Sequence, residues 1–518
     1  MSLPILPDVA GQAIGGQLGL SGGGNIEELG IIGVSSAGPA GVQTIDPSML
    51  PGLLSLYGTG PLARAIKDAF QGGAQILKTL RCTTSQVGAV DTPNTGGKAG
   101  TGTIGFTGNP LDEYQLVVRI TAAGALGTAR FRWSSDMGHT WSDELVTAAT
   151  VLMSPTGVTV TFTNAGSSVD GSFLVDDVVR VRTIGPSPTA NEVGTAIDTF
   201  RAQAWSQNGQ GPHIILIAGP TGDTVWAGAA TKVSVFHGSG RYVAFIAETR
   251  PPTDAETAAA WVAAMVAAKT TVADFVGVSA GRLEMVDQDG LRRETGVAAL
   301  YSGRLMAIPA QQNPARVKAD RAYVGPIPGA RALRPALYGI GTPDPIPSMT
   351  DSQIKTLSDA GFITCRSFFG KAGVYFTDGR MTSAPSSDFG EIDRVRPALK
   401  ALHAARLACL EELFGDGSQA GLRQIEAVAQ DAINQLIARG EIPETEVADR
   451  LIEQNNAQVI LAGEEAERPI ADQVAAAMRH KATDMVGKTT VRQLADLMSH
   501  AKLVVTNDNA CLHMASMA

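Results

Sequence analysis

Alternating apolar and polar positions dominate the region between residues 84 and 188. Successive side chains of a β-strand point to opposite faces, so an alternating run predicts a strand with one buried face. Gly, Asn and Asp turns separate the runs, as in compact all-β domains. Five such runs are Thr103–Phe106, Gln115–Thr121, Ala129–Ser134, Gly157–Thr163 and Asp177–Thr183. The pattern predicts an inserted, outward-facing β-domain of the sandwich type.

The pattern changes between residues 191 and 345, where continuous apolar runs alternate with helical ones. Strands buried on both faces have no polar side, and parallel sheets covered by helices contain such strands. The predicted strands are His213–Ala218, Tyr242–Ala247 and Asp274–Val278, and the predicted helices are Glu192–Trp205, Val225–Val233 and Ala255–Ala268. Thr253 and Glu256 have the spacing of a capping box for the third helix. Pro309 to Pro347 is rich in Pro and Gly and predicts a long ordered connection.

The N-terminal residues supply a strand, a helix and a second strand. Ile31–Val34 is apolar, and Pro61 and Gly72 mark the start and end of a helix with one apolar face. Gln75–Arg81 predicts the second strand. Residues 1–30 are rich in Gly and poor in charge. They are either a floppy terminus or an extended arm whose apolar side chains lie along the sheet edge of a neighbour. Those side chains are Ile14, Leu18 and Leu20.

The most informative stretch runs from Asp359 to Phe414. Gly361–Phe369 and Val374–Phe376 are short apolar runs parted by a turn that contains Gly, which predicts a β-hairpin. Apolar positions then change to helical spacing at Ile392, Val395, Leu399, Leu402 and Leu413. The sequence predicts helix through residues 391–440, with a break at residues 415–421.

This order of residues resembles the C-terminal core of contractile-tail sheath proteins, the outer tubes of phage tails and related injection machines. A weaker N-terminal resemblance, with the form GxIGxxxxG followed by GPLxxAIKDxFxxGA, precedes it in the right order. The residues that match the C-terminal motif are Gly361, Thr364, Arg366, Gly370, Lys371, Gly373, Val374, Tyr375, Asp378, Gly379, Arg394 and Val395.

The resemblance implies an α/β (α+β) multidomain fold with a parallel-sheet sheath core, a C-terminal hairpin and helices, and the inserted β-domain. The domains expected are an arm (1–30), two parts of the core (31–83 and 189–445), the insert (84–188) and a C-terminal fragment (446–518). It also implies assembly roles for Ile14, Leu18 and Leu20 in the arm and for further motif residues. These are Gly361, Arg366, Gly370, Lys371, Gly373, Tyr375, Asp378, Gly379 and Arg394.

The last 70 residues resemble a different family, the C-terminal Rossmann-like half of heptosyltransferase-type glycosyltransferases. The motif residues include Gly487, Lys488, Thr489, Asn507, Asp508 and His513. Ala510 and Cys511 stand where that family has Gly-Pro, in a loop near the sugar nucleotide, which puts donor binding in doubt. A transferase must hold donor and acceptor in line, and the chain has no counterpart of the family's N-terminal half. The segment is therefore interpreted as a fused or substituted fragment.

Composition narrows the function classes. The 518 residues carry a net charge of -9, whereas nucleic-acid binders present a basic face, so no nucleic-acid partner is expected. The four cysteines are scattered and indicate a reducing compartment. The longest apolar run, Ala258 to Ala268, is too short to span a bilayer, so no membrane-spanning segment is expected. Met1 to Leu20 lacks a basic stretch and a continuous apolar core, so no signal peptide is expected either.

Apparent catalytic motifs have simpler interpretations. Gly487–Thr489 lacks the upstream Gly of a phosphate loop, because Ala482 occupies that position. Asp388–Gly390 matches the kinase triplet without its partner motifs. Asp136, in an S-x-D-x-G-x-T-W turn, is one acid alone and too few for calcium. The seven histidines never pair at metal-ligand spacing. The sequence predicts no catalytic residue, no cofactor and no metal site.

These observations favour a non-enzymatic subunit of a contractile tail sheath. Such a subunit would polymerise into a helical tube around an inner tail tube and contract to drive that tube through a cell envelope. Its partners would be copies of itself, the tube protein, and baseplate and tail-terminator proteins, in a virion tail assembled in the bacterial cytoplasm. Two alternatives remain open, a glycosyltransferase-related enzyme using a nucleotide sugar and a virion decoration protein carried by the insert.

Overall fold

A computed structural model describes residues 27–166, 171–206, 209–253, 256–287, 289–319, 323–334, 349–410 and 419–438, with short pieces between 460 and 493. The strands are β1 (Glu28–Val34), β2 (Gln43–Ile45), β3 (Ile76–Cys82), β4 (Ala89–Val90), β5 (Asn94–Gly97), β6 (Thr103–Gly108), β7 (Gln115–Ala122), β8 (Arg130–Ser134), β9 (Leu145–Val146), β10 (Thr150–Met153), β11 (Val158–Thr163), β12 (Val178–Ile184), β13 (Ile214–Thr221), β14 (Ala244–Thr249), β15 (Val276–Ser279), β16 (Arg282–Val286), β17 (Arg292–Gly296), β18 (Ala330–Arg334), β19 (Phe362–Ile363), β20 (Cys365–Arg366), β21 (Tyr375–Phe376), β22 (Ile460–Leu461) and β23 (Thr483–Asp484). The helices are α1 (Leu53–Tyr57), α2 (Pro61–Gly72), α3 (Ala190–Gln203), α4 (Asp223–Gly238), α5 (Ala258–Ala268), α6 (Ala298–Ala307), α7 (Asp351–Asp359), α8 (Ile392–Cys409) and α9 (Gln419–Ala438), with a 3-10 helix at Pro47–Gly52.

A seven-stranded sheet forms the centre of the fold, in the order β19-β15-β14-β13-β1-β3-β2. All its pairs are parallel except β2 with β3. Ile31 of β1 lies between Leu216 of β13 and Thr79 of β3. Every residue of β13 and of β14 is buried, because helices cover both faces of the sheet. Their continuous apolar runs predict strands of this kind, and β14 also carries the buried polar residues Glu248 and Thr249 at its end.

Two helices of the main sheet approach each other unusually closely. A Cβ added at Gly303 of α6 would lie 2.1 Å from the carbonyl oxygen of Ala69, and one added at Gly72 of α2 would lie 2.4 Å from that of Leu300. Only glycine leaves room for such a backbone contact. This close packing fixes α6, on which the C-terminal hairpin rests: the ring of Tyr301 meets that of Phe376 at 5.2 Å.

Strands β4 to β12 lie between β3 and α3 in the chain and form two antiparallel sheets. One contains β10-β11-β6, and the other contains β4-β12-β7-β8-β9 with β5 also on β12. Side chains from both sheets share one hydrophobic cluster, separate from that of the main sheet. At its centre the ring of Phe162 lies 4.7 Å from that of Phe131 and 5.5 Å from that of Phe173. The chain is thus a mixed α/β protein with one largely parallel sheet and separate antiparallel sheets.

The structure confirms the strands and helices predicted between residues 31 and 278, with shifts of a few residues at their ends. The predicted capping box is wrong: α5 begins one turn later, with Thr257 as N-cap. Glu256 instead accepts a hydrogen bond from the Thr253 amide and pairs with both terminal nitrogens of Arg250. Glu256, which the sequence predicts as part of the helix cap, therefore forms an ion pair with Arg250 instead.

Further along the chain the sequence missed regular structure. The predictions do not include the β16–β17 hairpin, α6 or α7. Thr350 and Gln353 do have the spacing of a capping box, and they cap α7 in this way. Part of the predicted connection at 309–347 pairs as β18 with β16. The helices predicted at 391–440 are present as α8 and α9, and Leu413 lies outside the described residues.

Candidate assembly site

The C-terminal hairpin is smaller than its sequence predicts. Cys365 and Arg366 pair antiparallel with Phe376 and Tyr375. The first apolar run does not belong wholly to this hairpin, because Phe362 and Ile363 pair in parallel with β15. One run therefore serves two sheets: its first half closes an edge of the main sheet, and its second half starts the hairpin.

Motif glycines occupy positions that restrict the backbone. Gly361, Gly370 and Gly373 have φ values of +83°, +77° and +97°, in a region that residues with a Cβ rarely adopt. A Cβ at Gly373 would also lie 2.7 Å from Cβ of Pro326, and one at Gly379 would lie 2.7 Å from Cγ2 of Ile392. A backbone or steric constraint therefore explains why glycine occupies each of these four positions.

Aromatic and hydroxyl contacts stiffen the loop of residues 367–373. The Tyr375 hydroxyl donates a hydrogen bond to the Ala372 carbonyl at 2.8 Å. The Phe368 ring lies 5.4 Å from the Tyr375 ring, and the Arg366 guanidinium stacks 4.4 Å from the Phe368 centroid. Phe369, by contrast, is fully exposed. The neighbours of Phe369 thus anchor the loop while its own ring projects into solvent.

The remaining motif residues divide between the interior and the surface. The Asp378 carboxylate accepts hydrogen bonds from Ser358 Oγ at 2.7 Å and from Arg380 Nε at 2.9 Å. Gly370, Lys371 and Arg394 are exposed. Ile14, Leu18 and Leu20 lie outside the described residues. The structure therefore brings Gly361 to Gly379 together around one hairpin and leaves Arg394 on α8.

A buried charge cluster, which sequence reasoning missed, joins the insert to the main sheet. The guanidinium of Arg282 on β16 contacts Glu113 of the insert at 2.8 Å and Glu294 on β17 at 3.1 Å. Arg182 on β12 of the insert contacts Glu294 at 2.9 Å. Arg64 on α2 contacts Glu113 at 3.1 Å. The side chains of Glu113, Arg282 and Glu294 are at most 2% exposed.

The cluster holds one more carboxylate than guanidinium groups. Its three cations are Arg64, Arg182 and Arg282, and its four acids are Asp112, Glu113, Glu248 and Glu294. Burial opposes ionisation of Glu113, but the Arg282 and Arg64 guanidiniums outweigh it and hold the pKa of that carboxyl well below its usual range.

Glu248 behaves in the opposite way. Burial, and then the negative charge of Glu113, raise the pKa of Glu248 to about 7. Its nearest guanidinium atom in the cluster, Nη1 of Arg282, is 3.8 Å away. Gly296 makes room for this carboxyl group, since a Cβ there would lie 1.8 Å from Glu248 Oε1. A proton on Glu248 balances the cluster at three charges of each sign.

Local sequence gives no sign of this cluster. Its members lie on α2, before β7, and on β12, β14, β16 and β17, so contacting pairs are separated by as many as 169 residues. The residues next to each acid and each arginine in the chain do not indicate its partner in the cluster. Only the tertiary fold brings them together.

The candidate metal ligands are dispersed over the described residues. Within them no three His, Cys, Asp or Glu side chains are grouped to hold a metal ion. Asp136 instead stabilises its own turn, where its Oδ1 accepts from Ser134 Oγ at 2.6 Å and from the Thr140 amide at 2.8 Å. No helix in the described part of the chain has the length and apolar character to cross a bilayer.

Comparison with solved structures finds sheath proteins of contractile systems. The sheath tail protein of Desulfitobacterium hafniense is 12% identical, with a TM-score of 0.42, over 80% of this chain and 86% of that one. The sheath tail protein Lin1278 of Listeria innocua is 11% identical, with a TM-score of 0.41, over 81% and 86%. The sheath of an extracellular contractile injection system in its contracted state is 10% identical, with a TM-score of 0.44, over 85% and 84%.

Two family models match the sequence, and no curated protein does. The model of glycosyltransferase family 9 (heptosyltransferase) covers residues 444–517. The sheath and heptosyltransferase resemblances found in the sequence thus both recur in the comparisons. The model of the DUF2586 N-terminal domain covers residues 6–380, which is more than half of the chain. The protein therefore belongs to the DUF2586 family.

Proposed function

We propose that this protein is a structural subunit of a contractile tail sheath, without enzymatic activity. It polymerises around an inner tail tube and contracts to drive that tube through a cell envelope. Its partners are further copies of the chain, the tube protein, and the baseplate and terminator proteins of the same particle. Its place is a virion tail assembled in the bacterial cytoplasm.

The observation that supports this proposal most directly is the motif between Gly361 and Gly379. In a chance match the matching residues would have no shared structural role. Here four glycines meet local steric demands, Tyr375 and Asp378 anchor the hairpin, and Lys371 lies in an exposed loop. The matching positions therefore form one structural unit, whose solvent-facing part is free for contacts.

Contraction requires subunits that remain rigid while their mutual contacts change. The charge cluster supplies such rigidity, because breaking a buried ion pair leaves an uncompensated charge at high cost. Heterologous contacts between rigid subunits repeat into an open helix. A second packing of the same subunits, with better-buried interfaces, is lower in free energy by roughly a few kcal/mol per subunit. Summed over many copies, this difference drives contraction.

Negative-stain microscopy of the purified full-length chain, alone and co-expressed with a tube protein from the same source, tests the proposal. We expect rings, tubes or striated sheaths whose abundance rises with protein concentration. A chain that remains monomeric at high concentration and in the presence of the tube protein would contradict the sheath function.

A nucleotide-sugar function remains the second candidate because of the match at residues 444–517. Isothermal titration of the full-length protein with a nucleoside diphosphate sugar tests it, with a variant truncated after residue 443 as the control. Saturable binding that the truncation removes favours this candidate. On the sheath proposal neither protein binds.

A further inference from the structure

The first of two exposed apolar features is the tip of the loop at residues 367–373. Phe369 is fully exposed, although Arg366, Phe368 and Tyr375 of the same hairpin are packed together. Exposing a whole phenylalanine ring on a stiffened loop forgoes the burial that normally stabilises a large aromatic side chain. Lys371, two residues away, is also exposed and places a positive charge beside the ring.

The second feature is the segment of residues 46–56, which follows β2. Met49 is 39% exposed and Leu54 is 65% exposed, and Leu50 and Leu56 are partly buried against the main core. No charged residue occurs between Pro47 and Ala63. Asp46 stands at the start of the segment, exposed, where it caps the 3-10 helix. Contiguous exposed apolar side chains bordered by a polar group mark interaction surfaces.

Each feature comes shortly after one edge strand of the main sheet. The loop follows β19 and β20, and β19 is one edge strand, whereas the segment follows β2, the other edge strand. Six strand spacings, about 29 Å in total, separate those edges. Phe369, Met49 and Leu54 are all exposed within one chain, so the loop does not cover the segment of its own subunit.

We propose that the loop of one copy, through Phe369, docks on the Met49–Leu54 surface of the next copy. The occupant is a second copy of this chain because each feature supplies what the other lacks: a projecting ring for an uncharged apolar surface, and Lys371 for Asp46 at its border. This inference rests on the proposed assembly function and names one contact within it. The contact is heterologous, because it joins different surfaces of the two copies, and so it propagates a ring or a helix.

Cysteine cross-linking tests the pairing directly. A chain with Phe369→Cys and a differently tagged chain with Leu54→Cys are mixed and oxidised gently, in the full-length protein. We expect a disulfide-linked pair that contains both tags. The control replaces Leu54→Cys by Leu152→Cys, since Leu152 on β10 of the insert is similarly exposed at 61%. Wild-type chains measure the background from the native cysteines, of which Cys82 and Cys365 are buried.

Solution association provides a second measurement. Phe369→Ser and Leu54→Ser are each expected to raise the concentration for half-assembly by at least about tenfold, because a central aromatic anchor carries much of an interface's affinity. Leu152→Ser should leave it within about twofold. Asp46→Asn keeps a capping side chain and removes the charge. Asp46→Asn and Lys371→Gln should each weaken association about two- to fivefold, and the double variant no more than either alone.

The outcomes separate this inference from the sheath proposal. Cross-linking of residues 369 and 54 above both controls, with weaker association of the two serine variants, supports the contact. Tubes that form normally with Phe369→Ser, without that cross-link, overturn the contact and leave the sheath function standing. A predominant link between two copies of residue 369 overturns the heterologous geometry. Failure of the wild-type chain to associate overturns both.

Discussion

Two regions reverse the usual distribution of side chains. One is the junction between the insert and the main sheet, and the other is the loop at residues 367–373. At the junction three arginines and four acids are largely removed from solvent. On the loop a phenylalanine is fully exposed. Charged residues are rarely buried unless they are paired, and large aromatic residues are rarely left in water.

The difference shows which contacts the chain completes by itself. Every cation of the junction cluster meets carboxylates from another element, so its position and orientation are fixed within the subunit. The apolar ring of Phe369 meets nothing comparable among the described residues of its own chain. Buried charge at the junction thus marks a contact made within the subunit, whereas on our proposal the Phe369 ring is buried only when a second copy docks.

The largest effect is expected from Arg282→Ala. Removing this guanidinium leaves Glu113 buried without its main counter-charge and leaves Glu294 with Arg182 as its remaining ion-pair partner, which should cost about 3–5 kcal/mol. Urea denaturation followed by tryptophan fluorescence measures the loss as a lower midpoint of the first transition. The control is Arg119→Ala, which removes the exposed pair with Asp176 and should cost less than about 1 kcal/mol. Equal losses would show that the cluster is no more permanent than a surface pair.

The second effect concerns pH. The folded chain raises the pKa of Glu248 to about 7 from 4.5, so it binds that proton more tightly than the unfolded chain does. The stability that this group contributes is present below pH 4.5 and is lost as pH rises to 7, by about 1.4 kcal/mol for each pH unit in between.

A pair of histidines at the other end of the main sheet, His213 and His403, acts in the opposite direction. Burial, and then His213 beside it, lower the pKa of His403 to about 4, so its contribution to stability grows as pH rises from 4 to 6.5. The test is therefore the difference between wild type and Glu248→Gln. The variant should become relatively more stable than wild type as pH rises from 5 to 7. Parallel stability curves over that range would rule out a buried proton on Glu248.

A smaller effect is expected from Tyr375→Phe. The substitution removes the hydroxyl that donates to the Ala372 carbonyl and should cost about 1 kcal/mol, the usual value of one hydrogen bond. Faster amide hydrogen exchange at residues 367–373, with the rest of the hairpin unchanged, is the specific signature. Unchanged exchange in the loop would show that Tyr375 does not hold it.

The smallest effect on stability is expected from Phe369→Ser. An exposed side chain with no burial to lose should change the free energy of unfolding by no more than about 0.5 kcal/mol. The same thermal or urea denaturation measures it on dilute protein, where association does not contribute. A loss above 1 kcal/mol would mean that the ring packs within its own subunit, and the contrast with the junction would then disappear.

Local pattern predicted regular structure well where burial follows a simple period. Strand β13 could be read from its unbroken apolar run, and β11 from its alternation, because each run matches the number of faces that the fold buries. Prediction from local pattern failed at Thr253 and Glu256, because a helix capping box and an ion-paired turn have the same residue spacing. It also failed at the β16–β17 hairpin, whose residues Arg282 and Glu294 look solvent-exposed in sequence.

The sequence by itself determined the class of fold, the hairpin motif and the C-terminal resemblance, because these depend on periodicity and on residues close together in the chain. Tertiary structure alone decided that Arg282 meets Glu113, that Phe368 is packed while its neighbour Phe369 is exposed, and that β19 and β2 form opposite edges of one sheet. Contacts between distant residues depend on how strands are ordered, and strand order leaves no trace in the local pattern of side chains.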